Sequence, residues 1–229
     1  MRINPLMSLV LFMFCAGLMA QETPAKRTVA VLYFDNNSLV KQEEMEPLRK
    51  GLADMMITEL SKIEQFQVVE RANLEKILEE MKMGQAGMVD GEQVQQVGKM
   101  LGAENLILGS YMLMFDGKLR IDARLVEVET GRTLKAEEET GAPKNLSQMV
   151  ANLVRRHAGH MQVKLSSQQS KALSEPENKS FEASLLYARG LAYEDAHDYA
   201  NARKMYQQAI KLNPKFVRAR TRLKALLQK

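Results

Sequence analysis

His157 and His160 stand three residues apart in one predicted helix, a spacing from which two imidazoles reach a single metal ion. His157, however, continues the apolar face of that helix, and the remaining histidine, His197, falls in a distant turn. The pair is therefore read as a packing residue and its neighbour, with no metal site. Asp35 closes the first predicted strand, the place where α/β proteins often hold ligands. In Asp35-Asn36-Asn37-Ser38 its preferred role is to cap a turn. Gly84, Gly87 and Gly91 lack the Lys-Ser/Thr end of a phosphate-binding loop and do not directly follow a strand, so no nucleotide and no other cofactor is expected. Glu137, Glu138 and Glu139 suit the protection of an edge strand better than acid–base chemistry. With three histidines and no base placed beside a nucleophile, the residues point away from an enzyme. Met81, Met83 and Met88 flank the glycine-rich loop and offer either an adaptable surface or core filling.

The one cysteine, Cys15, lies in an N-terminal stretch that reads as a secretory signal: Arg2, then an apolar run from Leu6 to Phe14 too short to span a bilayer. Cleavage is expected after Ala20, which removes Cys15. Lipidation at Cys15 is disfavoured by the bulky Phe14 before it. Charge is unevenly spread over the 229 residues. From Gln21 to Ala142 there are 15 Lys and Arg against 22 Asp and Glu, and from Ala183 to Lys229 there are 10 against 3. The basic end would suit an acidic protein surface; nucleic acid is not expected for an exported chain.

The elements that must position these residues follow from periodicity. Thr28 to Phe34 reads as a buried strand, and Leu48, Leu52, Met55, Met56, Leu60 and Ile63 form one face of a helix over 46–63 that starts at Glu46-Pro47. A second strand runs through Phe66 and Val68 into a helix with Leu74, Ile77, Leu78 and Met81 on one face. A loop at 83–91 and a third helix ending at Gly102 follow. Asn105 to Leu113 and Lys118 to Val128 form a hairpin about Asp116-Gly117, with Arg120, Asp122 and Arg124 on its wet face. Arg132 to Thr140 forms the edge strand, and a helix capped by Asn145 closes the domain near residue 164. The polar stretch 165–182, with Glu175-Pro176, reads as a linker.

Beyond the linker, Leu186, Gly190 and Tyr193 recur on one helix and Tyr199, Ala202, Tyr206 and Ala209 on the next, with Pro214 at the end. This spacing resembles one tetratricopeptide repeat, with Arg189 standing where the pattern prefers an apolar residue. Gly190 and Ala202 are expected to let the two helices approach, and Tyr193 and Tyr206 to fill the crossing. Val217 to Leu227 supplies a third, capping helix. One repeat cannot cover its own apolar face, so something else must.

The first domain carries Val68-Val69-Glu70-Arg71 followed by Leu74 and Leu78, then Leu101-Gly102-Ala103 leading to Ile107-Leu108-Ser110 through Gly109, then Leu125 to Gly131. In this order the segments resemble the curli assembly (CsgG) family over residues 28–164. The pore-forming members of that family export curli subunits through a barrel to which each subunit gives two long hairpins. Here Tyr111 and Ile121 are separated by nine residues, where a membrane strand alone needs about 9 to 11. The resemblance therefore implies the soluble periplasmic domain, also found in flagellar outer-membrane accessory proteins and, more remotely, at the front of TolB.

The expected organisation is a signal at 1–20, a leader at 21–27, an α/β (α+β) domain with a mixed sheet at 28–164, a linker at 165–182 and an all-α repeat with capping helix at 183–229. The leading functional reading is a non-enzymatic exported scaffold in the bacterial periplasm that binds protein partners, acidic surfaces among them, with peripheral outer-membrane association. Two alternatives stay open: a homo-oligomeric, ring-forming subunit of a secretion apparatus, and a periplasmic sensor or enzyme using the Asp35 loop.

Overall fold

The computed structural model describes residues 25–81, 91–175 and 180–228. The signal and Cys15, and most of the glycine-rich loop with Met83 and Met88, lie outside them. A six-stranded mixed sheet forms the centre of the first module. Its main path runs β3 (Phe66–Val68), β1 (Arg27–Val31), β4 (Asn105–Leu113), β5 (Leu119–Glu127) and β6 (Thr133–Gly141). β1 lies parallel to both β3 and β4, whereas β4, β5 and β6 are antiparallel. The expected turn at Asp35 is instead a short strand, β2 (Asp35–Asn36), parallel to β4 at Ser110 and Tyr111. The backbone donors that a turn would have left to side chains are taken up by the sheet. Asn36 Oδ1 still accepts from the Ser38 amide at 3.2 Å, so the Asx geometry survives just beyond the strand.

Alternation decides what each face buries. Leu119, Ile121, Ala123 and Leu125 join Val29, Val31, Ile107 and Tyr111 in a core beneath α2 (Leu48–Leu60) and α5 (Leu146–His160). The helix expected over 46–63 is α2, shortened at both ends with Pro47 at its N-cap, and a short α1 (Gln42–Met45) precedes it. On the opposite face Ala30, Leu32, Leu106, Val126 and Val128 meet Leu74 of α3 (Arg71–Glu80) and Val94 and Val97 of α4 (Gly91–Met100), and Met81 fills the edge of that core. The β4–β5 hairpin closes over Met114 to Lys118: Met114 N donates to Lys118 O at 2.9 Å, and Gly117 takes φ +77°. Gly109 is required where β4 meets β5, since a Cβ there would sit 1.9 Å from the Asp122 carbonyl oxygen.

β6 is the sheet's edge, as its charges suggested. Its carboxylates are nonetheless engaged: Glu137 and Glu139 pair with Arg156 of α5 at 2.7 Å, and Glu138 pairs with Arg120 on the other face. The stretch 165–182 is more than a tether. Ser166 and Gln169 form a reciprocal capping box that starts α6 (Ser167–Ser174). Leu173 of α6 is fully buried against the first core, and Gln169 donates to Gln65 at 3.0 Å.

α7 (Phe181–Asp195), α8 (Tyr199–Leu212) and α9 (Val217–Leu226) form the helical end. Ser180 and Asp198 cap α7 and α8 through the amides of Ala183 and Asn201. Tyr187, Leu191, Ala202, Tyr206, Ala209 and Phe216 make its core.

His157 is wholly buried in α5, and neither ring nitrogen has a hydrogen-bond partner among the described residues. Burial lowers its pKa to about 4, opposed by the nearby Glu137 carboxylate and reinforced by His160 and Arg156. His160 instead bonds Glu137 at 2.6 Å, so the two histidines do not converge on one point. The sign follows from linkage. Neutral His157 is the folded form, so its contribution is complete above the unfolded pKa near 6.5 and is lost as pH falls towards 4. At about 1.4 kcal/mol per pH unit this amounts to about 3 kcal/mol. Urea titrations from pH 7 to pH 4 should show His157→Met losing less stability than the unmodified chain. Equal slopes would contradict the assignment. Glu137, whose pKa is lowered chiefly by its bond to His160, adds acid loss of the same sign in both proteins.

Candidate functional site

A dense cluster of charge among the described residues lies between the two modules. Arg71, at the first position of α3, is 4% exposed. Its Nη1 donates to both carboxylate oxygens of Asp195, at the end of α7, at 2.7 Å each. Lys50 of α2 reaches the same carboxylate and that of Glu75 at 2.6 Å, and Tyr33 donates to Glu75 at 2.5 Å. A second centre is Asp54, on the buried side of α2 and 5% exposed. It accepts from Tyr187 Oη at 2.7 Å, and Arg222 and Arg218 of α9 approach it at 3.4 and 3.9 Å. Glu194 completes the set, accepting from Tyr206 Oη at 2.7 Å and facing Arg222 at 3.5 Å.

Four cations (Lys50, Arg71, Arg218 and Arg222) thus meet four carboxylates (Asp54, Glu75, Glu194 and Asp195). Burial pushes the Asp195 carboxyl up, but the Arg71 charge and the bonds from Arg71 and Lys50 outweigh it and hold the group below the ordinary carboxylate range. Burial pulls Arg71 down and Asp195 more than restores it, so both remain charged. Buried pairs of this kind roughly break even against apolar residues of the same shape, whereas a lone member is costly. The attraction between modules therefore rests on apolar contact: Gly51 against Ala188, with Phe181 and Leu185 packed on the first core. A Cβ at Gly51 would lie 2.7 Å from that of Ala188, so glycine is what lets α2 and α7 touch. The charges fix the register in which they do so.

The helical end's exposed flank is thereby covered by α2, in place of further repeats. Among the described residues, two surfaces are left open. α3 and α4 shield only part of the sheet's second face, and beyond them a cleft of about 460 Å³ is lined by Asp35, Ser110, Arg120, Asp122, Arg124 and Glu138. Arg120 is held there by Asp122 and Glu138. Asp35 sits at the rim, 3.8 Å from Arg49, with half of its side chain exposed. The other surface is the outer side of α8 and α9.

A family model described as "Curli production assembly/transport component CsgG" matches residues 14–120, and a tetratricopeptide repeat model matches residues 183–216. Along the chain a CsgG-like stretch is thus followed by a segment similar to one tetratricopeptide repeat. No curated protein matches the sequence. Among solved structures, the LpoB C-terminal domain from Salmonella enterica is 19% identical over 55% of this chain and 89% of its own, with TM-score 0.36. Lipoprotein GNA1162 from Neisseria meningitidis is 16% identical over 61% and 99%, with TM-score 0.38. TolB from Acinetobacter baumannii is 14% identical over 59% and 28%, with TM-score 0.40.

The CsgG-type match ends at Arg120, at the start of β5, although the same sheet continues through β6. Of the motif residues of this domain, Val68 ends β3, Val69 follows it with its amide donating to Val29 O at 2.9 Å, and Leu74 and Leu78 pack in the second core. Glu70 is the exposed N-cap residue of α3. Arg71 does what its position in the motif did not disclose, since its partner lies in the repeat 124 residues away. Within the repeat, Gly190 faces the Tyr206 ring, Ala202 and Ala209 are buried, and Leu186 and Tyr199 pack at the edge of the core. Pro214 lies in the turn before α9. Tyr193 is the exception. It is 38% exposed and lies outside the crossing, which Tyr187, Tyr206 and Phe216 fill with ring centroids 5.1 and 5.6 Å apart. The sequence signal for the missed junction was Asp54, a carboxylate within the apolar face of α2.

Proposed function

We propose that this chain is a non-enzymatic scaffold of the bacterial envelope that presents two joined modules to protein partners. The observation that carries the reading is the junction. Arg71 and Asp54 hold the repeat on α2 in one register, so the repeat's free side and the open sheet face keep a fixed relation. A scaffold needs that property and a flexible tether would not supply it. The CsgG-type and tetratricopeptide matches support the same class. Export to the periplasm, with the mature chain lying at the outer membrane, is the setting in which such a scaffold would act.

The test is cross-linked capture from a bacterial envelope fraction with the full chain and with Gly51→Leu, which wedges α2 away from α7. The full chain should retain defined proteins that the wedged variant retains poorly. If neither form retains any protein above an unrelated bait, the scaffold reading fails.

A further inference from the structure

Helical spacing divides the charges of the last two helices. Arg218 and Arg222, four residues apart, approach Asp54 across the junction. Arg220 and Lys224 have the same spacing, but an offset of two residues turns them by about 200° to the opposite side. Both are exposed. On α8 the same rule holds: Ala202, Tyr206 and Ala209 are buried, and Lys204 and Lys211, each two residues from one of them, are exposed. Lys215, in the turn between the helices, is exposed as well. Arg203 Nη1 donates to Leu226 O at 3.3 Å, which ties the start of α8 to the end of α9 and makes the two antiparallel neighbours. None of these five outward cationic groups has an ion-pair or hydrogen-bond partner among the described residues. Val217 and Leu227, 54% and 67% exposed, bracket Arg220 and Lys224 along α9.

We propose that the outer face of α8 and α9 binds an acidic amphipathic helix of a partner protein. The inner arginines of α9 are met by the carboxylates of Asp54 and Glu194, and the outer face offers the same cation chemistry with no carboxylate opposite it. α9 is ten residues long, about 15 Å, which accommodates roughly three turns of a partner helix. Val217 and Leu227 would receive its apolar residues at the two ends, and the cations its carboxylates between. A membrane fits less well, because interfacial helices bury a broad apolar face rich in aromatics, whereas the exposed aliphatic residues of α8 and α9, Leu212, Val217 and Leu227, stand among cations with no exposed aromatic beside them.

The inference rests on the protein-binding reading above. Its test uses the full chain with a fluorescent peptide of roughly three helical turns, leucines on one stripe and glutamates elsewhere, beside a scrambled peptide of equal composition. Vesicles of phosphatidylglycerol and sedimentation of the chain alone complete the measurements. The amphipathic peptide should bind at least about tenfold more tightly than its scramble and become helical on binding. The combined Lys204→Glu, Lys211→Glu, Arg220→Glu and Lys224→Glu chain should lose that binding while keeping its circular dichroism. Val217→Ser with Leu227→Ser, an uncharged second variant, should bring the two peptides to equal affinity. Equal binding of both peptides by the unmodified chain overturns the proposal. So does binding that survives charge reversal, preference for the vesicles, or an oligomer that charge reversal dissolves. Envelope capture that persists with the charge-reversed chain overturns this assignment and leaves the scaffold reading standing.

Discussion

Replacing Arg71 with methionine should cost about 3–5 kcal/mol, the range for breaking a buried ion pair by removing one partner. Asp195 would keep Lys50 at 2.6 Å but lose two bonds of 2.7 Å in a site where burial already opposes its charge. Urea unfolding followed by circular dichroism should change from one transition to two, the helical end melting first. The pairwise origin is separable from lost packing. Arg71→Met combined with Asp195→Leu removes both charges and should recover most of the loss, since Lys50 retains Glu75. An unchanged midpoint in the single variant, or no recovery in the double, would show that the bond does not set the register of the repeat on α2. Acid should act in the same direction. The folded Asp195 pKa is depressed, so its contribution is intact above the unfolded pKa near 3.8 and disappears as pH falls below it.

Gly190→Leu should unfold the repeat while sparing the sheet. Even a Cβ at this position would lie 2.3 Å from Tyr206 Cε1 and 2.6 Å from Cδ1. The Tyr206 ring has no free path, being fully buried against Tyr187 of α7 with its hydroxyl bonded to Glu194. Overpacking of a well-filled core costs about 1–3 kcal/mol, and more where the neighbour cannot move. The helical end has a small core of its own, so that cost is a large share of its stability. Helical ellipticity should fall by the contribution of α7 to α9, and Gly190→Ala should fall between leucine and the unmodified chain. A melt of Gly190→Leu that overlays the unmodified one would mean that the crossing is looser than the Tyr206 contact indicates.

Those two sites differ in how far they could be read from residue order. Gly190 and Tyr206 belong to a spacing that sterics repeats in every such hairpin, so the contact was legible. So was the β4–β5 hairpin, because Asp116-Gly117 supplies the positive φ that the turn needs. Tyr193 was misplaced because the repeat pattern presumes neighbouring repeats, and here α2 takes the place of one. α6 was overlooked although Ser166 and Gln169 spell its capping box, since the polarity of 165–182 outweighed a single short signal. Arg71 and Asp54 could not be assigned partners at all. Charge on a helix is ordinarily solvated, and what buries these two residues is contact over more than a hundred positions of sequence.

The Asp54–Tyr187 and Arg71–Asp195 bonds span 133 and 124 residues. As the chain emerges from its N-terminal end, β1 to α5 can find all their partners within residues 27–160, whereas the α2 surface around Gly51 and Asp54 must wait. Until α7 and α9 arrive, that surface is wet, with Arg71 solvated rather than caged. Completion of the fold is thus a late closure over a long loop, the kind of step that loop entropy makes slow. During this interval the α2 surface is the place where a holding chaperone would bind and where a stalled chain would aggregate.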